Sequence, residues 1–341
     1  MANYTNFFTT LHHIDIKNKI VDSKKVQEGD LENYISELIK NVLTKPDERL
    51  FCVQSDTTEV VSLIRQVVNE GAEPEEVTQK IADRLHRIEI KTQERYGSIA
   101  DLQKGSLIQA YVSIENIYMY LIAKVEHNSF LDEEDFVKRI GLPYEKHILK
   151  TCLVKLTEEK DFADIVVYDT RPNVSAYWWN DFLELRKMNS DEHNTDKAFK
   201  AIDQHLSSYV KKYSPRDFYN LRNHLIGYFK TQAHFKFETM IDSVFGVYEP
   251  EKPELVNMTK LKAAVSELPV KRKFDRSFTI APDRVKAHMK KTYKVNNVID
   301  ISINEQVTDD NLVTALEGLN GDRYLKIKTD NEELFKMFKK E

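Results

Sequence analysis

Residues 107–126 constrain the fold of this chain most strongly, because β-branched and aromatic side chains dominate the run. The pair Glu115-Asn116 interrupts it, so the run predicts two strands joined by a tight turn. Residues 147–155 and 163–168 predict two more strands, and residues 177–185 are predicted to extend the same sheet. The middle of the chain therefore predicts a central antiparallel sheet.

Apolar residues recur at intervals of three and four positions before and after this sheet, which is the spacing of amphipathic helices. Ser214 followed by Pro215 marks one helix start, because serine caps the first turn and proline suits the first helical position. Helices and strands are segregated along the chain rather than strictly alternating, so the predicted fold class is α+β. The predicted helices cover residues 30–42, 58–69, 73–96, 196–212, 214–234, 257–267, 282–292 and 331–339.

The length of 341 residues is sufficient for more than one domain. The best linker candidate is the segment EPEKP at residues 249–253. We therefore predict a helical and mixed α/β region at residues 1–104, a central sheet with basic helices at residues 105–248, and a small basic α/β domain at residues 254–341.

Several protein classes are excluded by what the sequence lacks. No segment reaches the roughly 18 uninterrupted apolar residues of a membrane-spanning helix, and the N-terminal residues do not resemble a signal peptide. Cys52 and Cys152 lie in apolar contexts and are predicted to be buried free thiols of a cytoplasmic protein. Glycine-rich phosphate and dinucleotide loops and the serine nucleophile motif are absent. We therefore predict no cofactor, no catalytic residue and no metal ligand.

Positive charge is concentrated in residues 269–294, where nine Lys and Arg accompany two Asp in a chain of net charge −5. Cations on an acidic background commonly meet phosphates, although a solvated basic helix is the alternative interpretation. The predicted helices between residues 196 and 236 form a second basic zone. The predicted DNA-contacting residues are Lys271, Arg272, Lys273, Arg276, Arg284, Lys286, Lys290, Lys291, Lys294, Lys211, Lys212, Arg216 and Arg222.

A metal-dependent nuclease is a second hypothesis, because Asp161, Asp164 and Asp169 cluster around one predicted strand and Glu126 ends another. Such an enzyme needs carboxylates that converge on a cation. Asp164 and Asp169 are an odd number of residues apart, which places them on opposite faces of a regular strand. A third hypothesis is an interaction module of a phage-defence or mobile-element system, whose basic face meets an acidic protein. The sequence favours DNA binding without catalysis.

Several segments together resemble the bacterial 37-kDa nucleoid-associated proteins. They are LIAKVEHNSFLDEEDFVKRIG at residues 121–141, HILKTCLVKL at residues 147–156, and the later FDRSFTIAP, VIDISI and YLKIKT. The resemblance implies a non-enzymatic, cytoplasmic protein of the nucleoid that binds double-stranded DNA. Phosphate contacts made by the basic zones predict that binding is largely without sequence preference. The resemblance also implies topoisomerase IV as a partner, and a homo-oligomer is a further expectation. No contact residue follows from the resemblance.

Overall fold

The computed structural model describes residues 4–46, 48–96, 104–144, 149–171, 174–287, 291–303, 312–318 and 320–339. They form an α+β fold, as predicted, in which a large sheet and a group of helices each have their own core. The strands are β1 (Thr5–Asp15), β2 (Ile20–Lys24), β3 (Leu50–Val53), β4 (Gly105–Ile114), β5 (Ile117–Glu126), β6 (Asn128–Leu131), β7 (Lys138–Gly141), β8 (Leu149–Leu156), β9 (Phe162–Asp169), β10 (Leu185–Lys187), β11 (His234–Lys236), β12 (Ser277–Thr279), β13 (Lys291–Lys294), β14 (Asp300–Ile303), β15 (Val313–Glu317) and β16 (Arg323–Ile327). The helices are α1 (Asp30–Thr44), α2 (Glu59–Asn69), α3 (Pro74–Tyr96), α4 (Asp191–Tyr209), α5 (Pro215–Thr231), α6 (Phe237–Ile241), α7 (Met258–Ser266), α8 (Leu268–Arg272) and α9 (Glu332–Phe338).

The main sheet has eight strands in the order β10-β3-β9-β8-β5-β4-β1-β2, and all neighbours are antiparallel. The predicted hairpin lies at its centre, since β4 and β5 pair along their whole length. Glu115 and Asn116 have positive φ angles of 47° and 68°, which is the two-residue turn that suits the twist of a hairpin. Gly105 is required at the start of β4, because a Cβ atom there would lie 2.7 Å from the Val125 carbonyl oxygen.

Helices cover both faces of this sheet. Since side chains alternate along a strand, Ile108 and its alternate neighbours on β4 pack with α1, whereas Leu107 and its own alternate neighbours pack with α2 and α3. A π-helical turn at Tyr177–Phe182 completes the second layer. Because β1 pairs with β4, the sheet combines strands from the regions predicted at residues 1–104 and 105–248.

The second core is formed by α4 to α8 and the short antiparallel pair of strands β11 and β12. Its centre is aromatic, and the rings of Phe235 and Phe278 stack with centroids 4.5 Å apart. The predicted start of α5 is confirmed, because the Ser214 side chain accepts a hydrogen bond from the Asp217 backbone nitrogen and Pro215 follows it.

Residues 48–50 connect the two cores. The Glu48 carbonyl oxygen accepts hydrogen bonds from the backbone nitrogens of Arg276 at 2.8 Å and Ser277 at 3.0 Å. The Arg49 guanidinium donates to Asp191 at 2.6 Å, and the Leu50 backbone nitrogen donates to the Asp275 carboxylate at 3.3 Å. Arg49 and Asp275 are both buried, so these polar contacts are shielded from water.

Two predicted elements are wrong. The predicted strand at residues 177–185 begins as the π-helical turn, which buries Trp178 and Phe182 under the sheet, and only β10 pairs with β3. The helix predicted at residues 282–292 starts as a single 3-10 turn at Pro282–Arg284, and residues 291–294 form strand β13 instead. Proline and aspartate imitate a helix start there, but Val285 turns into the helical core and ends the turn.

The two cysteines are free thiols, and Cys152 is buried as predicted, whereas Cys52 is half-buried. Within the described ranges, no helix has the length and apolar character needed to cross a membrane.

Candidate nucleic-acid interface

The exposed face of α4 carries two adjoining grooves. The first, here called the Arg272 groove, has a volume of about 540 Å³ and is lined by Lys197, Lys200, Phe218 and Arg272 among others. The second, here called the Arg284 groove, has a volume of about 670 Å³. It is lined by side chains that include Lys200, Arg222, Arg284 and Lys286. Asp196, Lys200 and Asp203 line both grooves, so they form one continuous surface, the α4 face.

The cations of the α4 face divide into paired and unpaired groups. Lys200 forms an ion pair with Asp196 at 2.8 Å, and Arg222 forms one with Asp203 at 2.8 Å. Lys197, Arg272, Arg284 and Lys286 are exposed and form no ion pair within 4 Å among the described residues. Six cations and three acids, including the exposed Glu192, line the two grooves, so the face keeps an excess of positive charge that is available to an external anion.

The predicted cluster Lys271, Arg272 and Lys273 lies at the end of α8, which packs beside α4. Lys271 forms an ion pair with Glu267 one turn earlier, and Lys273 has a φ of 57° that ends the helix. Burial, together with the charges of Lys271 and Arg272, lowers the pKa of His205 on α4. These three cations therefore lie beside α4, and their contact with DNA stays a prediction.

Other predicted DNA-contacting residues lie at the edge of this face or away from it. Lys211 and Lys212 lie over the rings of Phe218 and Tyr213, with Nζ 5.6 Å and 4.5 Å from the ring centroids. Arg216 forms an ion pair with Glu251 at 2.6 Å.

Arg276 differs from the other predicted contacts in being largely enclosed. Its side chain is only 15% exposed, stacks on the Phe237 ring and forms an ion pair with Glu238 at 2.5 Å. Lys294 is exposed on β13, whereas Lys290 and the Lys291 side chain lie outside the described residues.

Lys197 and Lys200 belong to the basic helices that were predicted to contact phosphates, but neither was singled out among the predicted contact residues. Their spacing of three residues places them on neighbouring turns of the same helix face. That spacing was the signal in the sequence. The spacing indicates a binding surface only together with Arg272 and Arg284, which are distant in sequence but flank the same helix.

The carboxylates considered for a nuclease do not converge on one site. Asp161 and Asp164 are exposed at the start of β9, whereas Asp169 is buried at its end. Asp169 and Glu126 instead share Lys150, at 3.4 Å and 3.7 Å.

Cations neutralise these buried acids. Arg171 approaches Glu126 at 3.5 Å, and the fully buried Lys124 forms an ion pair with Glu89. Burial lowers the pKa of Lys150, and the charges of Asp169 and Glu126 act in the opposite direction. Within the described part of the chain, no group of three or more His, Cys, Asp or Glu side chains is arranged to hold a metal ion.

A family model described as nucleoid-associated protein YejK matches residues 11–323. The chain belongs to this family. The match includes the helical core, the whole α4 face and all of the sheet except the first residues of β1, so the resemblance seen in the sequence is confirmed. A search of curated proteins found no match.

Proposed function

We propose that the protein binds double-stranded DNA through the α4 face, largely without sequence preference. The observation that carries this proposal is the convergence of Lys197, Arg272, Arg284 and Lys286, which are exposed and have no ion pair on the described residues. Membership of a nucleoid-associated family supports DNA as the ligand and the bacterial nucleoid as the location. Topoisomerase IV stays a predicted partner.

Phosphates are the groups that this face suits. Long flexible cations neutralise phosphates and release condensed counterions, and such contacts carry no sequence information. Helix α4 has 19 residues, which corresponds to about 28 Å and approaches one turn of duplex. Six further cations can extend the contact beyond the grooves. They are Lys271, Lys273, Lys211, Lys212, Arg216 and Lys294. We propose that Arg222 and Arg276 act differently, holding the interface in place through their ion pairs.

The test is a salt titration of duplex binding by the variant Lys197→Ala/Arg272→Ala/Arg284→Ala/Lys286→Ala. Its plot of log K against log salt should flatten by roughly 0.9 per lost phosphate contact, equally for two duplexes of unrelated sequence. The matched control replaces Lys17, Lys19, Lys24 and Lys25, which are exposed around the β1–β2 turn, by Ala. An equal loss in both variants, or an unchanged slope in the first, contradicts the proposal.

We also propose that binding is not coupled to cleavage, because the buried acids near β9 are neutralised by Lys and Arg. Supercoiled DNA incubated with the protein and Mg²⁺ or Mn²⁺ should stay uncut. Nicking that disappears in Asp169→Ala would instead favour the nuclease hypothesis.

A further inference from the structure

The hairpin of β6 and β7 exposes an apolar surface that the described residues leave uncovered. Every residue of β6 is exposed, and so is every residue of β7 except the half-buried Gly141. Phe136 in the connecting turn is 75% exposed. A two-stranded hairpin is only marginally stable in water by itself, and exposed apolar patches commonly mark interaction surfaces. The large apolar side chains of this hairpin that are at least half exposed are Phe130, Leu131, Phe136, Val137 and Ile140.

The turn of this hairpin is strongly acidic. Arg139 holds the Asp132 and Asp135 carboxylates at 2.8 Å and 2.7 Å, and the Asp135 side chain accepts from the Val137 backbone nitrogen at 2.9 Å. These contacts fix the shape of the turn. Glu133 and Glu134 are exposed, and their carboxylates form no ion pair with the described residues. The hairpin therefore presents two free carboxylates beside an exposed phenylalanine.

The Arg272 groove has the complementary chemistry. It offers the unpaired cations Lys197 and Arg272, whereas its acids Asp196 and Asp203 are already paired with Lys200 and Arg222. Its wall includes small exposed parts of the largely buried Phe218 and Ala201. An acidic turn with a protruding aromatic ring suits such a groove, because the carboxylates can meet the cations while the ring contacts the apolar wall.

We propose that the β6–β7 hairpin of one copy of this chain docks into the Arg272 groove of a second copy. The hairpin projects from the sheet and the groove lies on the helical core, so two different surfaces meet in each contact. A contact of this kind is head-to-tail and repeats from copy to copy. If the groove also binds DNA, as proposed above, duplex DNA and the hairpin compete for Lys197 and Arg272. Only this competition rests on the proposed function.

Two variants of the full chain test the contact without DNA. The hairpin variant carries Glu133→Gln, Glu134→Gln and Phe136→Ser, and the groove variant carries Lys197→Ala and Arg272→Ala. Sedimentation at low salt should show wild-type assemblies of two or more chains that dissociate as salt is added. Each variant alone should sediment as a single chain. Their equimolar mixture should form two-chain complexes and nothing larger, because it contains one intact hairpin and one intact groove per pair.

The matched control is Glu158→Gln/Glu159→Gln, which removes two carboxylates from the exposed turn between β8 and β9 and should assemble like the wild type. Circular dichroism should confirm that all variants are folded. A wild-type protein that sediments as a single chain at every concentration overturns the inference. So does a groove variant that still assembles, or a mixture that stays monomeric.

Duplex DNA separates this inference from the proposed function. Adding duplex should dissociate wild-type assemblies, and the hairpin variant should bind DNA at least as tightly as the wild type. A groove variant that loses assembly but keeps full DNA affinity supports the head-to-tail contact and contradicts DNA binding at this groove. A groove variant that loses DNA affinity but still assembles supports DNA binding at this groove and contradicts the head-to-tail contact.

Discussion

Lys124 lies fully buried in the middle of the sheet, where its ammonium group forms an ion pair with the equally buried Glu89 of α3. In the sequence Lys124 interrupts an apolar strand, and nothing near it indicates a partner. The partner is 35 residues away on a helix, and its position depends on how α3 packs across the sheet. Buried charge pairs of this kind cannot be predicted from local patterns, because the compensating charge is supplied by tertiary structure.

Asp15 at the end of β1 illustrates how a buried carboxylate makes stability depend on pH. Burial by itself raises the pKa of Asp15, but hydrogen bonds from Lys104 and Asn18 and the charge of Lys104 outweigh it and lower the pKa to about 2. The unfolded-state value is about 3.9. Because the folded-state pKa is the lower one, the stabilisation is complete above about pH 4 and is lost as the pH falls toward 2.

We therefore expect Asp15→Asn to lower the free energy of unfolding by about 2 kcal/mol at pH 7. The difference from the wild type should shrink between about pH 4 and pH 2. Urea denaturation at several pH values measures it. Asp22→Asn on the exposed strand β2 is the matched control and should show little effect at any pH. A difference that stays constant with pH would contradict the role given to Asp15.

At the scale of elements, the sequence predicted long helices well and short irregular segments poorly. Helices α1 to α5 were all expected close to their observed positions, because each repeats the helical apolar spacing over several turns. The segments at residues 177–185 and 282–292 are shorter than these predicted helices. Tertiary packing decides the conformation of both segments. Composition singled out four of the six cations that line the α4 face, namely Arg222, Arg272, Arg284 and Lys286, and their contact with DNA stays a prediction. Their convergence on α4 requires the packing of α8 and of residues 284–286 against it.

Two adjacent residues in the 3-10 turn region allow an effect on folding stability to be distinguished from an effect on DNA binding. Val285 is buried in the helical core, whereas Arg284 is exposed in the Arg284 groove. Val285→Asp should lower the free energy of unfolding by about 3 kcal/mol, because it buries an unpaired charge. Arg284→Glu should leave thermal stability nearly unchanged and weaken duplex binding. Thermal denaturation and binding titrations measure both effects, and an equal loss of stability would show that Arg284 is structural.

For the whole molecule, residues 48–50 are expected to couple the unfolding of the two cores. Arg49→Ala would remove the ion pair to Asp191 and leave that carboxylate with Lys187 as its remaining cation, at 2.8 Å. We expect a loss of about 3 kcal/mol, in the range for breaking a buried pair, and a broader or biphasic denaturation curve. Arg65→Ala, which removes an ion pair to the exposed Asp56, is the control. A single sharp transition at unchanged midpoint in Arg49→Ala would contradict the coupling.

The pairing of strands in the sheet also has a consequence for synthesis on the ribosome. β1 is followed closely by its partner β2, whereas its other partner β4 is synthesised much later. β3 pairs with β9 and β10, which are still more distant in the sequence. Such pairings between distant residues have high contact order and form slowly. One edge of β1 and both edges of β3 therefore leave the ribosome long before their partners exist. Both edges of β3 must stay unpaired or be held by chaperones until residue 187 has been translated, whereas β1 can complete its pairing once β4 has emerged.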